Sequence, residues 1–413
     1  MRRRVAILHH SRSFFPLDLR QAIVGSVEPI WVLPNGPGDD EATTGLLRRL
    51  GTVVNIDGMD LDESARELGR HRPDGIITFV DDHLPLAAAL AARLDLRYHT
   101  PDVAAVLADK GRQREALERA GIPGPGYWPV PADITAAELD QLAGRARYPA
   151  VLKHARGSGS RDMHPVGTPR DLRELLGARA PKGAIDRVLE EYLPDDPDHD
   201  PRFASYVSVE SVVSCGRASH VAVSGRFPLA DPFRETGNFI PGILTVGMRA
   251  PLLSMVADAI EALGIRTAVV HTEVKLTPEG PRLIEVNGRL GARPPFILQR
   301  ISKVNLFLEA CLLAVGVSSD VVGPVECSGV GFWFMLQPPV SARRVRAIDG
   351  LNRLDEMAGI DTVRINRRPG ESVDWREGTD GHVLTVRGRA QDHDALAATI
   401  EFIRTTVQLD YEE

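Results

Sequence analysis

Residues 269–289 have the sequence VVHTEVKLTPEGPRLIEVNGR, and this stretch decides how the centre of the chain folds. On both sides of the insert 277–281 (TPEGP), apolar and polar residues alternate as they do in half-buried β-strands. The insert is typical of a turn, because proline fixes φ and glycine lets the chain reverse. The two halves are therefore predicted to pair as an antiparallel hairpin.

The register of this hairpin determines which side chains share a face. A register with Leu276 opposite Arg282 gives three further pairs, which are Lys275 with Leu283, Glu273 with Glu285, and His271 with Asn287. Because side chains alternate along a strand, these three pairs occupy one face. The other face then carries Val274, Leu276, Ile284 and Val286.

Two carboxylates that face each other destabilise a sheet unless a cation lies between them. Glu273 and Glu285, with the amide oxygen of Asn287, form a ligand set that Mg²⁺ accepts, its other positions going to water and phosphate. The alternative is a solvated face on which Lys275 neutralises Glu285 diagonally. A register slip of one residue would also place the two glutamates on opposite faces.

The N-terminal region alternates strands with helices. Strands are predicted at 5–8, 29–33, 52–56 and 75–79, and helical spacing of apolar residues appears at 63–70 and 84–94. This order predicts a parallel sheet with helices on both faces, a Rossmann-like domain over 1–106. His9-His10-Ser11 follows the first strand in place of G-x-G-x-x-G, so a dinucleotide site there is unsupported.

The middle region, 107–328, is predicted to hold a second domain with a mobile lid at about 125–195. A helix over 103–120 ends at the glycine- and proline-rich hinge 121–126. The further predicted elements are strands at 150–153 and 187–192, a helix near 169–178, strands up to residue 227, a loop over 228–242 and a helix over 251–263. Strands at 330–336, 362–366 and 382–387, with a helix at 393–405, predict a C-terminal α+β lobe over 329–413.

One loop has the composition of a phosphate-binding segment. Lys153 ends a strand and leads into Gly157-Ser158-Gly159-Ser160, where small residues let backbone N–H groups approach phosphate oxygens. No Walker A motif is present. The alternative interpretation of this loop is an exposed flexible turn. Lys110, taken alone, is an ordinary solvated helix residue. However, only five of the 49 basic residues are lysines, and a compact ammonium is what a phosphate oxygen accepts as a point charge.

Composition excludes several classes of function. The 413 residues carry a net charge of −7, which argues against coating nucleic acid or an anionic membrane and favours small solutes as partners. Cys215, Cys311 and Cys327 are odd in number and form no C-x-x-C pair, which predicts a reducing, cytoplasmic location. No window is apolar enough for a membrane helix. The histidines lack metal-binding spacing, and no serine-hydrolase motif occurs.

Taken in chain order, these motifs resemble those of the ATP-grasp superfamily. The order is Lys110, Lys153 with its Gly/Ser loop, Glu190-Glu191-Tyr192-Leu193, and Glu273 followed by Glu285-x-Asn287-x-Arg289. Residues 271–278 and 281–291 are similar to the carboxylate–amine ligases of that superfamily, including L-amino-acid ligases that make dipeptides. The resemblance implies an α/β ATP-grasp fold, with the Rossmann-like domain, the lid and the C-terminal lobe.

The resemblance also implies roles for individual residues. Lys110 and Lys153 would contact ATP phosphates, the 156–161 loop would close over them, and residues 190–193 would bind the adenine through Glu190 and Leu193. Glu273, Glu285 and Asn287 would bind two Mg²⁺ ions, for which Mn²⁺ would substitute. Arg289 would stabilise an acyl-phosphate. The implied reaction joins a small-molecule carboxylate to an amine and converts ATP to ADP and phosphate.

Alternatives and departures accompany the resemblance. The activated acyl group could go to a carrier protein or to a larger natural-product amine, or the chain could bind nucleotide without turnover. The acidic stretch 195–201 leaves only Asp198 and His199 as candidates for the ribose contact, and the loop 233–238 resembles a segment near the acceptor pocket. Gly288 stands where many relatives carry proline, which predicts a looser backbone. A homodimer is left open.

Overall fold

The N-terminal region forms a parallel four-stranded sheet. The computed structural model describes residues 2–10, 14–34, 41–177, 185–354 and 356–413, so Ser11 lies outside the described residues. Strands β1 (Arg3–Leu8), β2 (Val27–Leu33), β3 (Thr52–Asn55) and β4 (Gly75–Thr78) lie in the order β3-β2-β1-β4. Helices α1 (Pro16–Ile23), α2 (Glu41–Leu50), α3 (Leu61–Gly69) and α4 (Leu84–Arg93) alternate with them.

Both faces of this sheet are buried. Val5 and Ile7 of β1 pack into one apolar core, and Ala6 and Leu8 pack into another. Continuous apolar strands are typical of parallel sheets that have helices on both faces. The predicted Rossmann-like arrangement of parallel strands is confirmed.

The helix predicted over 103–120 is wrong, because two helices replace it. They are α5 (Pro101–Leu107) and α6 (Lys110–Arg119). Between them Asp109 has an extended backbone (φ −132°, ψ 112°), and its carboxylate accepts a hydrogen bond from the N–H of Arg112 at 3.1 Å. This side chain caps α6, so Lys110 becomes the first residue of a helix.

A small antiparallel sheet forms the region predicted as a lid. It contains β5 (Tyr127–Val130), β6 (Ala150–His154), β7 (His164–Val166) and β8 (Arg187–Glu191) in the order β5-β8-β6-β7. Helices α7 (Ala136–Arg145) and α8 (Pro169–Gly177) cover it, with Leu142 and Leu172 in a core shared with Leu152. The last residue of the helix predicted near 169–178 lies outside the described residues.

The centre of the molecule is an eight-stranded sheet. Its first members are β9 (Ala204–Ser214), β10 (Arg217–Arg226) and β11 (Gly237–Ile240), followed after α9 (Arg249–Ala262) by β12 (Ala268–Thr277) and β13 (Gly280–Asn287). Helices α10 (Pro294–Ile301) and α11 (Leu306–Ala314) come next. Strand β11 lies inside the segment predicted as a loop over 228–242, where it pairs with β10.

Strands from the C-terminal region extend the same sheet. The elements are β14 (Val330–Leu336), β15 (Arg344–Asp349), β16 (Ile360–Ile365), β17 (Leu384–Ala390), α12 (His393–Thr406) and β18 (Gln408–Glu412). The order across the sheet is β13-β12-β9-β10-β11-β14-β17-β16, while β15 and β18 pair separately. The strands predicted at 330–336, 362–366 and 382–387 all exist, with shifted ends for the last two.

The hairpin forms with the predicted carboxylate pairing but not with the whole predicted register. Glu273 lies opposite Glu285 and His271 opposite Asn287, as expected. A bulge at Ile284 then shifts the turn end by one residue, so that Lys275 pairs with Arg282 rather than with Leu283, and Leu276 with Pro281 rather than with Arg282. Leu283 is consequently buried in the core with Val274, and Ile284 lines the cavity described below.

Candidate active site

One cavity of about 750 Å³ lies between the small antiparallel sheet β5–β8, the hairpin and the N-terminal sheet. Of the residues predicted from the sequence as site residues, all but Asp198 line it. They are Lys110, Lys153, Gly157, Ser158, Gly159, Ser160, Glu190, Glu191, Tyr192, Leu193, Glu273, Glu285, Asn287 and Arg289. His199 also lines it.

The two facing carboxylates of the hairpin are held by different groups. Glu285 Oε1 lies 2.9 Å from Lys110 Nζ. Glu273 accepts a hydrogen bond from the Tyr206 hydroxyl and lies 3.5 Å from His271 Nε2. Burial opposes ionisation of Glu273, but His271 and Arg226 outweigh it and lower the pKa of this carboxyl. Glu273 is therefore an anion, and both glutamates line the cavity.

The alternative in which Lys275 neutralises Glu285 is wrong. The Lys275 ammonium instead contacts the carboxylate of Asp195 and lies 5.8 Å from the centre of the Tyr192 ring. The bulge explains this, because it pairs Lys275 with Arg282 on the neighbouring strand. Lys275 therefore lies beyond the bulge from the paired carboxylates. Lys110 of α6 takes the place next to Glu285 that Lys275 was expected to fill.

Lys110 connects the carboxylates with the Gly/Ser loop. Its ammonium donates a hydrogen bond to the carbonyl of Gly157 at 2.6 Å, and its backbone N–H donates to Ala155 at 2.9 Å. Burial alone would lower the pKa of Lys110, but Glu285 raises it, so the side chain stays charged. The break between α5 and α6 is what brings this lysine to the loop.

Lys153 belongs to a buried cluster of charges that also lines the cavity. Glu190 Oε2 lies 2.6 Å from Lys153 Nζ, and Arg114 donates to both oxygens of Glu190 at 2.8 and 3.3 Å. Burial opposes ionisation of Glu190, yet Arg114 and Lys153 lower its pKa to about 2. Arg114 was not predicted, because a helix arginine has no distinguishing pattern in the sequence.

Arg289 projects from the end of the hairpin into a pair with Asp81. Its Nε donates to Asp81 at 3.0 Å and its second nitrogen to the other oxygen at 2.5 Å, while Asn287 accepts at 3.3 Å. Such a bidentate contact fixes the plane of the guanidinium. Asp81 follows β4 in the N-terminal sheet and was missed, since only the fold brings residues 81 and 289 together.

A second layer of charges supports the hairpin from β9 and β10. Glu210 is fully buried and accepts a hydrogen bond from His271 Nδ1 at 2.7 Å. Burial alone would lower the pKa of His271, but Glu210 and Glu273 raise it to about 9. Arg226 donates to Glu235 at 3.0 Å, and Arg293 donates to the other oxygen at 2.6 Å.

Sequence reasoning did not identify this layer. The available signal was an acidic residue, Glu210, in the middle of the run Val207–Val213, which otherwise holds only valine and serine, because a lone charge inside a buried strand needs a partner. The partner itself, His271, was placed on the polar hairpin face but was not linked to another strand. Pairing of β9 with β12, which puts His271 opposite Glu210, supplies that link.

Gly288 is held more firmly than its identity predicted. Its carbonyl accepts a hydrogen bond from His99 Nε2 at 2.7 Å. A Cβ atom at this position would lie 2.5 Å from Leu107 Cδ1 and 3.0 Å from His99 Nε2. A side chain at 288 would therefore press on Leu107 of α5 and on His99, and the hydrogen bond from His99 holds the backbone between Asn287 and Arg289.

The donor set fits magnesium better than a metal held by protein alone. Over the described residues, no group of three or more histidine, cysteine, aspartate or glutamate side chains has the geometry of a metal site. Glu273, Glu285 and Asn287 supply two carboxylates and an amide, and Mg²⁺ usually keeps water or substrate phosphates in its other positions.

No helix in the described part of the chain is long and apolar enough to cross a membrane.

Comparison with known proteins finds ligases and synthases among the proteins similar to this chain. No family model matches the chain. The chain is 30% identical over 268 residues to carnosine synthase 1 of Gallus gallus, covering 60% of this chain and 28% of that protein. It is 25% identical over 232 residues to the alanine–anticapsin ligase of Bacillus subtilis, covering 52% and 48%. The chain thus spans less than half the length of each of these two relatives.

The fold has close counterparts among solved structures. The L-amino acid ligase of Bacillus licheniformis superposes with a TM-score of 0.77 and 18% identity, covering 100% of this chain and 99% of that one. At this identity the likeness concerns the fold alone. It confirms the α/β ATP-grasp fold and, with the relatives above, the resemblance to ATP-grasp ligases.

Proposed function

We propose that this chain, which has the ATP-grasp fold, is an ATP-dependent ligase that joins a carboxylate to an amine. The observation that carries the proposal is the pairing of Glu273 with Glu285 in the cavity that Lys110, Lys153 and Arg289 also line. ATP binding alone does not require facing carboxylates and a fixed arginine. The names of the relatives, which include an alanine–anticapsin ligase and an L-amino acid ligase, support the same reaction class.

The proposed reaction has two steps. A carboxylate oxygen of the first substrate attacks the γ-phosphorus of ATP, so that ADP leaves and an acyl-phosphate forms. The amine of the second substrate then attacks the acyl carbon, phosphate leaves, and the amide remains after loss of a proton. The substrates proposed are amino acids or related small metabolites.

The two lysines of the cavity are proposed to bind the phosphates. Transfer of a phosphoryl group requires positioning and charge neutralisation more than acid or base chemistry. Lys153 is buried, Lys110 is partly buried, and the two are oriented by the carboxylates of Glu190 and Glu285 respectively. The Gly157–Ser160 loop adds backbone N–H groups at the Lys110 end. Residues 190–193 are proposed to hold the adenine, chiefly through the backbone, because the Glu190 carboxylate is already paired.

The carboxylate pair and Asn287 are proposed to hold two Mg²⁺ ions, with Mn²⁺ as a substitute. When bound, magnesium neutralises charge on the phosphate oxygens. The protein's own contribution is to fix the ligands. Tyr206 and His271 orient Glu273, while Lys110 orients Glu285.

Arg289 is proposed to stabilise the negative charge of the acyl-phosphate and of the tetrahedral species that follows. Its guanidinium is already oriented by Asp81, so little reorganisation accompanies the reaction. Burial alone would lower the pKa of Arg289, but Asp81 raises it, and the group stays charged. The cation is therefore in place before the charge develops.

The test is release of phosphate from ATP and MgCl₂ against a matrix of amino acids, offered singly and in pairs. Products are identified by mass. Glu285→Gln is run alongside, with Glu261→Gln as the matched control, because Glu261 is exposed at the end of α9. Release that needs a pair, yields an amide and disappears only in Glu285→Gln supports the proposal.

Other outcomes separate the alternatives. Nucleotide binding without release for any pair would favour a carrier protein or a larger natural-product amine as acceptor, and purified candidates of each class would then be added. Binding with no turnover under any of these conditions would favour a nucleotide sensor. Unchanged amide formation by Glu285→Gln would refute the magnesium assignment.

A further inference from the structure

One short C-terminal segment touches both the Gly/Ser loop and another part of the cavity wall. This segment, Trp375–Gly381, consists of two 3₁₀ turns separated at Gly378. The backbone N–H of Thr379 donates to the carbonyl of Gly159 at 2.9 Å, and the N–H of Asp162 donates to the carbonyl of Arg376 at 3.3 Å. The loop that lines the phosphate end of the cavity is therefore bonded to the C-terminal region at two places.

The same segment holds the 233–238 loop from its other side. The hydroxyl of Thr379 accepts a hydrogen bond from the backbone N–H of Glu235 at 3.3 Å. Gln337 donates to the carbonyls of both Glu235 and Thr379, at 2.8 and 3.1 Å. Thr379 is 2% exposed, so these bonds are made away from water. Glu235 in turn pairs with Arg293 and Arg226 in the cavity.

Gly378 makes the contact with the Gly/Ser loop possible. Its φ is +68°, and a Cβ atom there would lie 2.2 Å from the carbonyl oxygen of Gly159 and 2.8 Å from the backbone nitrogen of Arg161. These are backbone atoms, which cannot swing aside as the end of a side chain can. Any larger residue at 378 therefore excludes the observed position of the loop.

Other contacts show that the loop is packed down on the cavity. Arg161 lies 3.9 Å from Asp82 of the N-terminal region, and Lys110 bonds to Gly157. The loop thus touches the N-terminal region, α6 and the C-terminal segment together. Loops that cover reacting groups in enzymes must open and close during turnover. Contacts that form only when such a loop is closed can link its closure to changes in another part of the protein.

We propose that the Trp375–Gly381 segment couples closure of the Gly/Ser loop over nucleotide to the position of the 233–238 loop, with Thr379 as the positioning residue. This inference rests on the proposed function, because it takes the loop to cover ATP phosphates. Coupling of two sites is reciprocal, so ordering of either loop favours ordering of the other. When nucleotide binds, the segment thereby orders the part of the cavity wall that contains Glu235.

The first arm of the test measures binding of the non-hydrolysable analogue AMP-PNP with Mg²⁺ to the full chain. Gly378→Ala is compared with Gly370→Ala, whose glycine also has a positive φ (+91°) but has open space around it. Both variants strain the backbone of the same region, and only the first blocks the loop. We expect Gly378→Ala to raise the Kd about fivefold or more, the loss typical of one or two hydrogen bonds, and Gly370→Ala to stay within about twofold of the unmodified chain.

The second arm follows hydrogen–deuterium exchange at single amides. AMP-PNP and Mg²⁺ should slow exchange of the Thr379 and Glu235 amides in the unmodified chain. Thr379→Val removes the acceptor for Glu235 but keeps the backbone N–H, so nucleotide should still protect residue 379 and no longer protect Glu235. Thr379→Ser keeps the hydroxyl and should restore protection of Glu235.

The outcomes distinguish this inference from the proposed function. If the unmodified chain does not bind AMP-PNP, both fail. If it binds but Gly378→Ala and Gly370→Ala behave alike, or if protection of Glu235 is the same in Thr379→Val and Thr379→Ser, the coupling is refuted while the ligase proposal stands. A stability measurement of each variant by thermal unfolding ensures that folded proteins are compared.

Discussion

Lys110 and Glu285 form an ion pair of 2.9 Å that joins the start of α6 to the second strand of the hairpin. The same ammonium donates to Gly157 in the Gly/Ser loop. One cation thus lies between a proposed metal ligand and a proposed phosphate-binding loop. The position of Lys110 depends on the break between α5 and α6, because this break makes Lys110 the first residue of a helix.

Lys110→Met should weaken nucleotide binding strongly. The substitution removes a partly buried charge that contacts the loop and leaves Glu285 without its cation, so we expect the Kd for AMP-PNP with Mg²⁺ to rise at least about tenfold. Isothermal titration calorimetry measures it. Lys303→Met is the control, because Lys303 is exposed. Equal affinities for the two variants would show that Lys110 has no part in nucleotide binding.

Arg289→Ala should reduce turnover far more than it reduces affinity for ATP. The proposed partner of Arg289 is charge that develops on the acyl-phosphate, and an interaction made only there affects kcat. Steady-state kinetics with a substrate pair found in the phosphate-release screen, together with AMP-PNP binding, separates the two quantities. Asp81→Asn, which keeps the arginine but removes its bidentate acceptor, should show a smaller loss of kcat. Parallel losses of kcat and affinity in Arg289→Ala would mean that its role is misassigned.

Gly288→Ala should destabilise the fold. A methyl group there would press on Leu107 and His99, and overpacking of this kind typically costs about 1–3 kcal/mol. Urea denaturation measures the free energy of unfolding. Adding Leu107→Ala should relieve part of the clash, so the double variant should be less unstable than the sum of the two single effects. Strict additivity would show that the two side chains do not meet.

Glu190→Gln should lower stability at neutral pH and much less in acid. The folded-state pKa of about 2 lies below the unfolded value of about 4.3, so ionised Glu190 stabilises the fold above about pH 4.3. That contribution, on the order of 3 kcal/mol, is lost as the pH falls from about 4.3 towards 2. Urea denaturation at pH 7 and at pH 3 should therefore show a larger difference between variant and parent at pH 7. A difference independent of pH would exclude ionisation as the cause.

Much of the fold follows from local patterns that the sequence displays. Period-two alternation and the TPEGP turn predict the hairpin. The register assumed at the turn is wrong by one residue, and the bulge at Ile284 compensates for this, so that Glu273 lies opposite Glu285 as predicted. The bulge at Ile284 was not predictable in this way. An apolar residue pair such as Leu283-Ile284 suits either face, and only the core formed with α9 decides which of the two is buried.

The remaining parts depend on contacts between distant segments. Asp109 looks like an ordinary helix residue until its side chain is seen to cap α6. Glu210 meets His271 only because β9 pairs with β12, and Asp81 meets Arg289 only because the N-terminal sheet packs against the hairpin. Motif order identifies the residues of the site, whereas the groups that orient them are set by tertiary structure.

The continuous sheet restricts how this protein can be re-engineered. Strand β14 pairs with β11 on one side and with β17 on the other, so the polypeptide after residue 329 is hydrogen-bonded into the sheet that carries the hairpin. A variant truncated at residue 329 would lose β14 and expose an unpaired edge of β11, which promotes aggregation. Changes to the candidate site are therefore best made by substitutions inside an intact sheet, because the C-terminal part belongs to that sheet.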